Sequence, residues 1–144
     1  MKRILVPLVL VVAIALPVQA AAGTRHYSGA VDPAGTVDFD VKKKRKKGKG
    51  KVKKVKDFAF LQVPINCVTG AATTSGHLNF GMKIERGQFK GSGIFGGSNL
   101  RVKGTVSRGG STGTIRIFGN VPQDDESVGV DCDTGVLDWS AARA

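Results

Sequence analysis

Apolar and polar residues alternate with period 2, cut by glycine at short intervals, through almost everything after Arg25. That period puts successive side chains on opposite faces of a strand, so such a chain folds into half-buried sheet. Val37, Phe39 and Val41 alternate with Asp38 and Asp40. Phe58 and Phe60 share one face of the next run, while Ala59, Leu61, Val63, Ile65 and Cys67 fall on the other. Leu78, Phe80, Met82 and Ile84 repeat the pattern, as do Leu100, Val102 and Val106 with Gly104 in register. Ile115 and Ile117 follow, then Val128, Val130 and Cys132, and last Leu137, Trp139 and Ala141. No window keeps apolar residues at i, i+3 and i+4 long enough for a helix.

The breaks fall where turns are easiest to build. Asp32-Pro33-Ala34-Gly35, Arg86-Gly87, Gly96-Gly97, Arg108-Gly109-Gly110, Gly119-Asn120 and Thr134-Gly135 separate the runs. The expected fold is all-β, a single antiparallel β-sandwich or small β-barrel of about eight or nine short strands. Phe39, Phe58, Phe60, Phe80, Ile84, Val102, Ile117 and Trp139 are its expected core. Burying each contributes about 1.5–3 kcal/mol before entropy is counted.

The first 22 residues read as a cleaved secretory signal. Lys2 and Arg3 form a basic start, Ile4 to Leu16 an apolar stretch, and Pro17-Val18-Gln19-Ala20-Ala21-Ala22 a small-residue cleavage region. The apolar stretch is shorter than the ~20 residues that span a bilayer, which argues against a retained anchor. Residues 23–144 then form one exported domain, secreted or otherwise outside the cytoplasm. Export bears on Cys67 and Cys132, the two cysteines of the chain. An even count in a small secreted domain reads as one disulfide. Each cysteine ends a period-2 apolar run, so the simplest reading is a buried bridge between two strands. A surface staple on loops is the alternative.

Charge is concentrated as sharply as cysteine is scarce. Half of the 22 Lys and Arg residues lie in one run of fifteen, KKKRKKGKGKVKKVK, without an acid. They are Lys42, Lys43, Lys44, Arg45, Lys46, Lys47, Lys49, Lys51, Lys53, Lys54 and Lys56. With that run and the leader's Lys2 and Arg3 set aside, nine basic residues face eleven acids. The basic character therefore belongs to one segment. Its flanks, VDFDV and DFAFL, make it the outer part of a hairpin. A two-residue turn at Gly48-Lys49, with glycine first, suits type II′. It sets Phe39 opposite Phe58, Val37 opposite Phe60, Lys44 opposite Lys53 and Lys43 opposite Lys54. Facing lysines repel, so the expectation is a packed base and a projecting, fraying distal half.

A dense lysine surface attracts anionic polymers or an anionic cell surface by counterion release. Lysine gives point charge rather than bidentate recognition, and no aromatic residue is available for base stacking. Sequence-specific nucleic-acid reading is therefore not expected. The competing reading is a β-sandwich that binds a small ligand or a protein, with the lysines serving only solubility.

Enzymatic chemistry has little to stand on. Gly91-Ser92-Gly93-Ile94-Phe95-Gly96-Gly97 lacks the helix that a phosphate loop needs. His26 and His77 have no serine or cysteine in a nucleophile motif. Asp124, Asp125, Glu126, Asp131 and Asp133 do not match calcium-loop spacing. They are also candidates to pair with the basic run. No catalytic residue, metal or cofactor is expected.

Three segments carry a resemblance. Val63-Pro64-Ile65-Asn66-Cys67, Gly113-Thr114-Ile115-Arg116-Ile117 and the close Cys132-Asp133-Thr134-Gly135-Val136-Leu137-Asp138-Trp139-Ser140-Ala141 resemble a set of small exported proteins of soil actinobacteria. The resemblance implies an exported all-β domain with Cys67 bonded to Cys132. It implies no activity, and the lysine run exceeds its pattern.

Overall fold

The computed structural model describes residues 23–48 and 50–144. The expected signal, residues 1–22, and Lys49 lie outside the described residues. Ten strands form: β1 Thr24–Val31, β2 Thr36–Lys46, β3 Gly50–Cys67, β4 Gly70–His77, β5 Met82–Ile84, β6 Gln88–Phe95, β7 Ser98–Val106, β8 Ser111–Pro122, β9 Val128–Asp133 and β10 Leu137–Arg143. Among the described residues there is no helix. The fold is all-β and antiparallel, as the alternation requires, with ten strands in one sheet rather than two stacked sheets. The count exceeds eight or nine because β5 is a separate three-residue strand.

Hydrogen bonding runs β10–β1–β2–β3–β9–β8–β7–β6, with β4 and β5 on β3. β10 also pairs with β8, using Ser111 to Ile115, while β9 takes Phe118 to Pro122 of the same strand. The sheet is not a clear barrel, yet it curls far enough to bring distant strands together. Phe39 of β2 and Phe89 of β6 have ring centroids 6.0 Å apart. Around them lie Tyr27, stacked on Phe39 at 5.2 Å, Phe58 at 5.5 Å, and the edge of Trp139 at 5.6 Å. Each aromatic pair adds about 0.5–1.5 kcal/mol beyond its buried area. Trp139 has room because Gly104 and Gly113 lie beneath it; a Cβ at either position would strike its ring.

Most expected core residues are buried, among them Phe39, Phe58, Phe60, Val102, Ile117 and Trp139. Ile84 is half-buried against the core. Phe80 is not a core residue: it is 39% exposed, because its segment lies outside β5 and its ring rests on Gly91 and Gly93. Tyr27, Val41, Val55, Phe89, Leu100 and Ile115 also belong to the core.

The sequence-based faces fail at three places, each at a non-glycine residue with positive φ. Asp57 (φ 53), Gln62 (φ 52) and Asp131 (φ 47) each insert one extra residue into a ladder. Such a bulge reverses which side chains face inward from there on. The Gln62 bulge moves Val63 and Ile65 onto the buried face of Phe60 and leaves Leu61 exposed. The Asp131 bulge buries Cys132 while Val128 and Val130 face solvent. At the latter two bulges the backbone N–H left over is satisfied locally. Gln62 N–H donates to Ser75 Oγ (2.8 Å), and Asp131 N–H to Asn120 Oδ1 (3.2 Å).

Cys67 and Cys132 form a disulfide. Cys132 is buried and Cys67 half-buried. The bridge joins neighbouring strands of one sheet, β3 and β9, which share a single ladder pair, Asn66 with Asp133.

Candidate functional site

The bulge at Asp57 also decides what the lysine run looks like. Val37 pairs with Phe60 as expected, but beyond the bulge the register differs by one from the expected hairpin. Lys43 faces Lys53, Lys42 faces Lys54, Lys44 faces Val52, and the last pair is Lys46 with Gly50. The connection is therefore residues 47–49, not a two-residue Gly48-Lys49 turn. The physical reason lies in the valines. The shifted register sets Val41 against Val55 and buries both, at 3% and 0% exposure. The unshifted register would have put Val41 opposite a lysine.

Nor is the distal half a free arm. Thr24 of β1 pairs with Lys42, and Lys43 N–H donates to Gly23 O at 2.8 Å. On the other side β5 pairs with Lys53, Lys54 and Val55. Only residues 44–52 reach beyond both neighbours.

Lys42, Lys44, Val52, Lys54 and Lys56 point outward. Lys42, Lys44, Lys54 and Lys56 surround Val52 in a shallow depression of about 160 Å³. Lys42 has one exposed acidic neighbour, Asp57, at 3.5 Å. The odd-numbered residues continue the core face: Val41 leads to Lys43 and Arg45, and Val55 leads to Lys53 and Lys51. Lys43 is crowded by like charge. Arg25, then Lys53, a little burial, Lys51 and Arg143 hold its ammonium below the ordinary lysine value. Lys47 is exposed at the turn, away from both sets.

The residues that sequence reading missed come from other strands. Arg25, Lys83 and Arg86 line the same concavity as Lys43, Lys51 and Lys53. Arg25 was findable, because it sits two residues before Tyr27 and shares its inward face. Lys83 and Arg86 were not, since only the β3–β5 pairing brings them there.

The acids after Pro122 do not meet the ribbon. Asp133 accepts two hydrogen bonds from Arg116, at 3.1 and 2.6 Å, which hold its carboxyl below the ordinary aspartate range. Asp125 is engaged by Ser127, whose hydroxyl and amide lower its pKa. Among the described residues, no three His, Cys, Asp or Glu side chains gather as a metal site. His26 lies between two acids, with Nδ1 2.9 Å from Asp40 and Nε2 3.0 Å from Asp38. On the outer face of β7 and β8, Arg101 and Arg116 lie over the Phe118 ring at 5.1 and 5.0 Å. Among the described residues no helix is long and apolar enough to cross a membrane. Compared with protein-family models, curated proteins and solved structures, the chain matches none.

Proposed function

We propose that this chain is an exported, non-catalytic β-domain that holds anionic polymers, free or on a cell envelope, through the ribbon of residues 42–56. One observation carries the reading: lysine stands directly opposite lysine, at Lys43–Lys53 and Lys42–Lys54, on a fully laddered ribbon. Facing like charges destabilise a ladder, and a bound polyanion removes that cost while releasing its own counterions. Export draws its support from the leader pattern in the sequence and from the disulfide, a bond that persists in oxidising compartments.

The test is retention on heparin, DNA and an anionic wall polymer at about 150 mM salt, where the electrostatic contribution is still measurable. The variant must keep Val41 and Val55, which are part of the core. Glutamine at Lys42, Lys43, Lys44, Lys51, Lys53, Lys54 and Lys56 meets that condition. Retention should fall for all three polymers, and the slope of log affinity against log salt should flatten. Unchanged retention would sink the proposal and leave the lysines as a solubility device.

A further inference from the structure

The ribbon has two faces of different shape, and one of them is concave. Along three adjacent strands the apolar inner face turns cationic at the same end of the sheet. Tyr27 gives way to Arg25 on β1, Val41 to Lys43 on β2, and Val55 to Lys53 and Lys51 on β3. Lys53 faces Ile84 of β5, and just beyond lies the turn carrying Arg86. These groups enclose a concavity of about 570 Å³, floored by Tyr27, Val41, Ile84 and Val106. Six cations line it and, among the described residues, no acid does. One of the six, Lys83, is already paired, its ammonium 2.6 Å from Glu85, and its ladder partner is Lys54 of the outer row.

We infer that this mouth is a discrete site for a compact polyvalent oxyanion, a group of clustered phosphate or sulfate oxygens such as a polyanion presents at a chain end. The inference rests on the reading of the ribbon as an anion-binding element and assigns that element's concave face a ligand of its own. Convergence is the physical reason. On the outer face the lysines stand in rows, which suits a linear polymer lying along them. In the mouth, Arg25, Lys43, Lys51, Lys53 and Arg86, from three strands and a turn, border one volume with an apolar floor, and low-dielectric walls focus their field there. Lys43 records the unrelieved repulsion, its ammonium depressed chiefly by Arg25 and Lys53. A multiply charged oxyanion satisfies several of these groups at once, with charge-assisted hydrogen bonds roughly twice as strong as neutral ones.

The experiment is calorimetric titration of the whole domain at constant ionic strength with two probes, inorganic tripolyphosphate and a heavily sulfated disaccharide. Two charge-matched double variants are compared. Arg25→Gln/Lys43→Gln empties part of the mouth, and Lys44→Gln/Lys56→Gln empties part of the outer face. The mouth variant should weaken at least one probe about tenfold, and the outer variant less than about twofold, because focusing is local. Which probe responds tells phosphate from sulfate. Arg86→Gln, from the opposite rim, should reproduce the loss if the mouth double variant folds poorly. Equal effects of the two doubles would overturn the inference, since net charge alone would then govern binding. Heparin retention without binding of either probe would overturn it while leaving the ribbon's polyanion role intact. Failure of heparin and both probes would overturn both.

Discussion

Two long antiparallel ribbons, β2–β3 and β7–β8, differ in one respect that governs everything else about them. β7–β8 keeps a single register over nine pairs, from Ser98–Gly119 to Val106–Ser111. One face stays inward throughout, with Leu100, Val102, Ile115 and Ile117 buried between Ser98 and Ser111 at its ends, and Arg101, Lys103 and Arg116 stay on the other. β2–β3 changes register at Asp57. Its base is core, while beyond Val41 and Val55 both of its faces carry lysine. A bulge lets one ribbon serve two environments, because the reversal after it re-aims every later side chain.

The largest expected effect concerns how the bulged ribbon is fastened. β8 is ladder-bonded to β7, β9 and β10 and β3 to β2, β4 and β5, but the seam of β3 with β9 rests on one ladder pair, the adjoining Val68 N–H to Val130 O hydrogen bond and the disulfide. The cysteines are 65 residues apart in sequence, and closing such a loop removes about 4 kcal/mol of unfolded-state entropy. Urea denaturation of Cys67→Ala/Cys132→Ala should show a loss of that size, and hydrogen exchange should speed up at β3–β9 before β7–β8. Equal acceleration in both ribbons would break the contrast between them.

Glycine sharpens the comparison next. In β7–β8 it makes space: a Cβ at Gly113 would meet the Lys103 carbonyl and Trp139. In β2–β3 it makes a turn: Gly50 has φ 69, and a Cβ added there would meet nothing within 4 Å. Gly113→Ala should cost about 3 kcal/mol through overpacking against backbone. Gly50→Ala should cost about 1 kcal/mol through left-handed strain alone. Urea midpoints of the two variants decide it, and a reversed order would show that the inner face of β7–β8 has slack.

The bulge itself comes third. Asp57 sits at φ 53, where a short polar side chain is tolerated and a β-branched one is not. Asp57→Val should cost about 1–2 kcal/mol, while Asp57→Gly should keep full stability, as read by thermal unfolding. The exposed Lys42–Asp57 pair, 3.5 Å apart, adds little to either number. If valine is tolerated, the register change does not depend on this residue.

These same positions mark where the sequence stops being legible. The all-β class, the β7–β8 faces and most turn positions follow from alternation and punctuation, as does the Phe60–Val37 pairing at the hairpin base, and the disulfide follows from the cysteine count. The Gly119-Asn120 break does not hold, since it lies inside β8, and the chain turns only after Pro122. Val63, Ile65, Val128 and Val130 lie on the faces opposite to those that alternation assigns, because period-2 reading carries straight through a bulge it cannot see. Asp57 and Asp131 are residue types that accept positive φ, but so are many others that stay extended. The lysines were legible as a group from charge alone. Their division into an outer row and a mouth was not, since it depends on Asp57 and on partners as distant as Arg25 and Arg86.

The smallest expected effect lies on the outer face of β2, at the two residues that flank the register change. Asp38 and Asp40 both reach the ring of His26. The hydrogen bond to Asp40, then the charge of Asp38, outweigh slight burial and raise the histidine above its ordinary value of 6.5. A raised value in the folded state means that folding favours the protonated ring. The resulting stability is fully present below the unfolded value and is lost as pH rises through the folded one. His26 is half exposed, so solvent screens the contribution, and direction is the useful readout. The stability gap between wild type and His26→Gln should be wider at about pH 5.5 than at about pH 8.5. Proton NMR should place the His26 titration above 6.5, and Asp40→Asn should lower it more than Asp38→Asn. A titration at or below the ordinary value would mean that the two carboxylates do not clasp the ring. The strand beside the bulge would then be held by its ladder alone.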